Sequence, residues 1–243
     1  MLKNIFLILF ALLVTDELSA GRPLYTDDAN VVGAKAFQIE TWAFSDKRSL
    51  QHWIVPTYGV SKKIEISAAG VHGLALIKEQ RNQYTYSGPI LQGKIKLSEI
   101  KEDGTPGFGF SGGSIMSYGS GYFKTANTDL FYYLAASSFI LGTDKILVHA
   151  NLGQQTRRAV KKQSPIVLWG AACEVKTGSR TYSFIEASNG EVTALNPGIS
   201  SQLGFRHDID AQLQIDGTVG TGLSGNPRLP FWMTVGIRKL FGL

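Results

Sequence analysis

His149 and Asn151 stand two residues apart in the stretch KILVHANLGQQ. A histidine with an orienting amide on the same strand face is part of the machinery of nucleophilic hydrolysis, which also needs a serine within reach of the imidazole. No serine shares that polar face, and His52, His72 and His207 stand in no recognisable constellation. No catalytic residue is therefore assigned, and His149 reads as a wall residue. Asp27 and Asp28 are adjacent carboxylates in GRPLYTDDAN, but no further ligands are spaced near them, so no metal site is assigned. The single cysteine, Cys173, excludes an internal disulfide and any CxxC motif. No cofactor is expected.

The segment that carries His149 has two faces. Ile146, Val148, Ala150 and Leu152 share one parity, while Leu147, His149, Asn151, Gly153 and Gln155 share the other. Successive strand side chains point to opposite sides, so one face is apolar and the other polar. The apolar face meets either a protein core or lipid. Similar segments recur near residues 36–45, 50–58, 63–73, 89–98, 106–116, 128–139, 145–155, 165–175, 180–188, 200–208, 211–222 and 231–241, twelve in all. Each has about the 9–11 residues with which a tilted strand crosses a membrane. From the second segment onward their connections alternate: GVSKK, KEDGT, ILGTD, KTGSR and IDA are tight, whereas LIKEQRNQYTYSG, SYGSGYFKTAN, TRRAVKKQS, NGEVTALNPGI and SGNPRLP are longer. Short periplasmic turns and long extracellular loops produce that alternation in outer-membrane barrels. The first connection, SDKRS, is short and departs from it.

Composition agrees with a turn-rich β protein: charged residues are 18% of the 243 and there are 27 glycines. The formal charge of +5 is too mild to imply nucleic acid, and the basic residues are not interleaved with stacking aromatics. Residues 1–20 carry Lys3, an apolar run from Ile5 to Val14 and Leu-Ser-Ala before Gly21, the layout of a cleaved secretory signal peptide. The division expected is therefore a signal peptide over 1–20, an N-terminal periplasmic segment over 21–35 and a barrel over 36–243.

The last segment, FWMTVGIRKLFGL, alternates Phe231, Met233, Val235, Ile237, Phe241 and Leu243 on one parity, interrupted by Lys239. A terminal aromatic strand of this kind resembles the sorting signature of bacterial outer-membrane proteins. The stretches GRPLYTDDAN, FQIETWAFSD, PTYGVSKKIEIS, HANLGQQ, SFIEAS, QLGFRHDIDAQLQIDGTVGTGLSG and VGIRKLF, in that order, resemble the outer-membrane family named for the phenol meta-degradation pathway, also called a transporter family. The resemblance runs nearly from Gly21 to Phe241. It implies an all-β, antiparallel transmembrane barrel of the bacterial outer membrane, inserted by the outer-membrane assembly machinery, with small organic or aromatic compounds among the solutes.

With the apolar parity outward, Gln38, Glu40, Glu65, Gln92, Lys94, His149, Asn151, Glu174, Glu186, Gln202, Arg206, Gln214, Asp216 and Arg238 fall inside and are expected to line a polar lumen. A lipid-facing Arg or Lys near the midplane costs roughly 2–4 kcal/mol, so the lumen is the cheap place for such charges. Segments two and six, with Trp53, Tyr132 and Tyr133, have ambiguous parity and are left unassigned. Lys94, Arg206 and Arg238 are expected to pair with Glu40, Glu186 and Asp216 across neighbouring strands as a wall-stiffening network. Residues 21–35 either fold inward as a plug, Asp27 and Asp28 meeting lumen cations, or hang as a periplasmic tail. The basic residues Arg157, Arg158, Lys161 and Lys162 of TRRAVKKQ fall on the exterior side, where they either grip lipopolysaccharide phosphates or form a solvated charge run. The function this reading favours is a narrow channel for small molecules. The alternatives are a soluble, secreted β-barrel that binds a ligand and, further off, an outer-membrane hydrolase.

Overall fold

The computed structural model describes residues 24–77, 83–125, 128–140, 145–157, 165–189, 198–225 and 228–242. Alternation of apolar and polar side chains over long stretches becomes strand throughout: β1 (Phe37–Asp46), β2 (Ser49–Ser61), β3 (Ile64–Ala75), β4 (Gln83–Ser98), β5 (Gly107–Ile115), β6 (Gly119–Ser120), β7 (Asp129–Phe139), β8 (Ile146–Arg157), β9 (Ile166–Lys176), β10 (Thr181–Ser188), β11 (Ser200–Asp208), β12 (Leu213–Gly222) and β13 (Trp232–Phe241). The only helical turn among the described residues is a 3-10 turn at Gly121–Phe123. β6 is a two-residue rung laid against the outer end of β4. The other twelve strands pair antiparallel with their neighbours in the ring, β1 pairs with β13, and β5 pairs with β7. The ring therefore closes, and no wall strand is left with an open edge.

Tight turns at one end and longer connections at the other follow the spacing read from the sequence, apart from the tight β1–β2 connection between Asp46 and Ser49. The turns at Asp103 and Asp210 are tied by their own carboxylates. The Thr105 hydroxyl and N–H hold the Asp103 carboxyl below the usual range, and the Gln212 N–H does the same for Asp210. β4 differs most from expectation, since it begins at Gln83, several residues before the expected start at 89. The strand passes through Pro89 because the ladder to β3 shifts register there, with Ala69 opposite Ile90 but Val71 opposite Ser87. A proline without an N–H fits at such an irregularity.

The two faces differ sharply. Leu91, Ile95, Leu97, Leu152, Val167, Ile185, Leu203, Phe205, Met233, Val235 and Ile237 are exposed on the outside, and the side chains between them turn inward. An apolar belt around a polar interior is the arrangement of a transmembrane β-barrel. The two segments of ambiguous parity are now fixed: Trp53 and Tyr133 point inward and are buried, while Tyr132 is exposed outside. Ile115, Phe131, Tyr133 and Leu168 form an apolar cluster within.

Candidate functional site: the N-terminal segment inside the barrel

Before β1, the chain runs through the barrel interior, and inward-facing glycines leave it room. A Cβ at Gly59 would collide with the Gly33 carbonyl, one at Gly170 with the Thr26 hydroxyl, and one at Gly109 would lie 3.1 Å from the Ala29 oxygen. The segment enters the wall at Lys35, whose N–H donates to Gly59 O at 2.7 Å, while Gly59 N–H donates to Ala36 O at 2.9 Å.

Three groups of wall side chains hold it. The first is the Glu186 carboxylate of β10, which accepts from Tyr25 N–H at 3.0 Å, from Thr26 N–H at 2.5 Å and from the Thr26 hydroxyl at 2.6 Å. Gln202 of β11 donates to the same carboxylate. The second centres on Lys94 of β4, whose ammonium lies 2.8 Å from both Asp27 Oδ1 and Asp28 Oδ1. The other Asp27 oxygen accepts from the Tyr133 hydroxyl at 2.9 Å and from Ser111 Oγ at 3.2 Å, and Gln92 donates to that tyrosine oxygen at 3.0 Å. The Asn151 amide lies against the Asp27 backbone, and in the orientation that satisfies both groups it donates to the Asp27 carbonyl at 2.9 Å and accepts from its N–H at 2.7 Å. The third group lies to either side of this point: Ala29 N–H donates to Ser137 Oγ at 3.1 Å, and Val32 N–H donates to Glu65 Oε2 at 2.7 Å.

Below this layer a charged wall continues. Arg206 pairs with Glu174 at 2.6 Å and lays its guanidinium over the Tyr182 ring, 4.5 Å from the centroid. Glu40 stands opposite Arg238 in the β1–β13 register, and Asp216 stands opposite Arg206 between β11 and β12. Gln38 donates to Glu40 at 3.0 Å.

Of the residues read as lumen-facing, Gln38, Glu40, Lys94, His149, Glu174, Glu186, Gln202, Arg206, Gln214 and Asp216 are buried, and Glu65, Gln92, Asn151 and Arg238 are half-buried. All lie on the inward parity. Three details of the sequence reading change. Arg206 pairs with Glu174, outside the partners expected for it, because the register of β9, β10 and β11 brings the two to one depth. Lys94 and Glu186, expected to pair within the wall, bind the N-terminal segment instead, because that segment lies between strands which parity alone treats as neighbours in a bare ring. A serine also does reach His149: Ser137 Oγ lies 2.8 Å from Nδ1, across the β7–β8 ladder. It escaped notice because it belongs to the segment whose facing was undecided. Ser111 and Thr26 were missed too. The alternation of Phe108 and Phe110 with Gly109 and Ser111 was the signal that pointed Ser111 inward.

The Ser137–His149 pair is engaged by the N-terminal segment, through the Ala29 N–H that donates to Ser137 Oγ. Ser137 is 1% exposed and its oxygen already accepts from Ala29, and His149 Nε2 is buried with no described partner to orient it. Arg157 ends β8, with its backbone opposite Asp129. Arg158, Lys161 and Lys162 lie outside the described residues, as do residues 1–23.

No family model and no curated protein matches the chain. Solved structures do. The KdgM porin in complex with disordered oligogalacturonate superposes with a TM-score of 0.59 at 11% identity, over 84% of this chain and 99% of that one. An outer membrane channel from Pseudomonas putida F1 gives a TM-score of 0.59 at 11% identity, over 88% and 97%. The NanC porin gives 0.52 at 8%, over 85% and 100%. The fold is that of outer-membrane porin-like barrels. At such identities the likeness speaks for the fold, and the chemistry rests on the residues above.

Proposed function

We propose that the protein is a channel of the bacterial outer membrane that passes small molecules through a lumen narrowed by its own N-terminal segment. The observation that carries this reading is the Lys94 ammonium, buried inside the wall and bonded by Asp27 and Asp28 of that segment. Two carboxylates on one cation hold the segment across the interior by charge-assisted bonds, which are stronger than neutral ones. The apolar outer belt and the fold support the location. A secreted soluble barrel would have no use for such a belt.

The interior supports a small permeant. A twelve-strand ring lies between barrels filled by side chains and those with an open aqueous channel, and here the segment takes up part of what space there is. The finer reading, that the solutes are small organic or aromatic compounds, rests on the resemblance to the phenol meta-degradation family.

Single-channel recording in planar bilayers tests the proposal. The parent should show small, resolvable conductance steps, and a variant lacking residues 24–33 should show larger ones. Absence of conductance in both, with barrels correctly folded, would overturn it.

A further inference from the structure

Two of the four histidines meet on the outside of the wall, away from the lumen. His52 of β2 and His72 of β3 are direct partners in the antiparallel register. Each adjoins a buried inward residue, Trp53 and Val71 respectively, so both face outward, and both are half-buried. Their nitrogens, His52 Nδ1 and His72 Nε2, are 3.0 Å apart, with the rings near perpendicular at 88°.

The hydroxyl of Thr41 lies against His52 Nε2 and the Trp53 carbonyl. Its single hydrogen is donated to the Trp53 carbonyl at 2.9 Å. With that hydrogen on the carbonyl, the same oxygen, 2.7 Å from His52 Nε2, accepts from the Nε2–H tautomer. In that tautomer the Nδ1 of His52 carries a lone pair on the side of His72.

We propose that His52 Nδ1 and His72 Nε2 form a two-imidazole site for a divalent transition metal from the copper–zinc end of the first row. Metal–imidazole bonds are about 2.0–2.1 Å long, so two such ligands at a right angle on one ion stand about 3 Å apart. The 3.0 Å hydrogen bond that the two rings make already sets that separation, so binding needs the rings to turn and not the strands to move. Thr41 supplies the outer-shell acceptor that ligating histidines usually have, which fixes the ring and its tautomer. His72 binds by carrying its proton on Nδ1 instead of Nε2, so the neutral pair releases no proton. Imidazole suits copper, nickel and zinc, whereas magnesium and calcium prefer oxygen. With two protein ligands, the remaining positions on the ion would be taken by water. A bound ion would tie β2 to β3 near the extracellular ends of both strands.

The test uses the intact barrel in detergent, purified without a histidine tag, stripped with EDTA and titrated with copper(II) sulfate alone. Electron paramagnetic resonance should show one axial copper signal per barrel, with coupling to ring nitrogens. His52→Ala and His72→Ala should each abolish it, and His207→Ala should leave it intact. Thr41→Val should weaken binding by about 10- to 100-fold, the usual effect of removing an outer-shell partner. Heat-dependent gel mobility establishes that each variant is folded. An unchanged copper signal in folded His52→Ala or His72→Ala, or no signal in the parent at submillimolar copper, would show an ordinary hydrogen-bonded pair and overturn the proposal.

Discussion

Lys94 and Asp28 make a 2.8 Å ion pair at 3% and 2% exposure, joining the fourth strand to a segment 66 residues earlier in the chain. Removing one member of a buried pair costs about 3–5 kcal/mol, because the other charge is left without its partner. Lys94→Met faces two carboxylates and should be the more disruptive change. Asp28→Asn leaves Asp27 on the ammonium and should act more weakly. Both should raise single-channel conductance, Lys94→Met more. Equal conductance in parent and Lys94→Met would mean that the pair does not hold the segment in place.

Glu186 is tied to the segment by a different chemistry, since Tyr25 and Thr26 offer it neutral N–H and O–H donors. Hydrogen bonds to a charged group contribute roughly 1.5–3 kcal/mol each. Glu186→Gln keeps the size, removes the charge and turns one acceptor into a donor. Amide hydrogen exchange at Tyr25 and Thr26 should accelerate while exchange in β10 and β11 stays slow. Acceleration across the whole barrel would instead make Glu186 a wall residue whose loss loosens the fold.

The wall was legible because its alternation is strong. In β11, Leu203 and Phe205 separate Gln202, Gly204 and Arg206, and only one assignment of faces avoids charge in lipid. β2 and β7 were not legible. Trp53, Tyr132 and Tyr133 are amphipathic rings that sit on either face, so parity could not choose, and Ser137 next to His149 stayed hidden with it. Partners across the interior are harder still. Parity says that Lys94, Arg206 and Arg238 all face inward, but the depth of each in the closed ring decides which one an incoming carboxylate reaches. That depth depends on the register of every ladder, including the shift at Ala69 and Val71. Two histidines twenty residues apart are likewise brought together only by the β2–β3 register.

Gly170 tests whether the segment depends on room in the wall. It faces inward, and a Cβ there would meet the Thr26 hydroxyl. Gly170→Val should push the segment away without harming β9, because valine suits a strand better than glycine does. The folded barrel should persist in gels, while a protease added to the detergent-solubilised protein should cut the N-terminal segment faster. Unchanged cleavage would show that the segment tolerates the extra bulk.

Neighbouring residues on one strand give the sharpest test of facing. Ile185 is 59% exposed and Glu186 is 2% exposed. The side-chain period of a strand is two, so an error of one residue in register would exchange their surroundings completely. Arginine on the lipid face costs roughly 2–4 kcal/mol at the midplane and less toward the interfaces. Ile185→Arg should therefore lower the yield of assembled barrel, seen as loss of the fast-migrating unboiled band. Glu186→Gln should leave that band intact and change only what the lumen does. The opposite result, full assembly of Ile185→Arg with failure of Glu186→Gln, would place Ile185 in the interior and reverse every face assigned to β10.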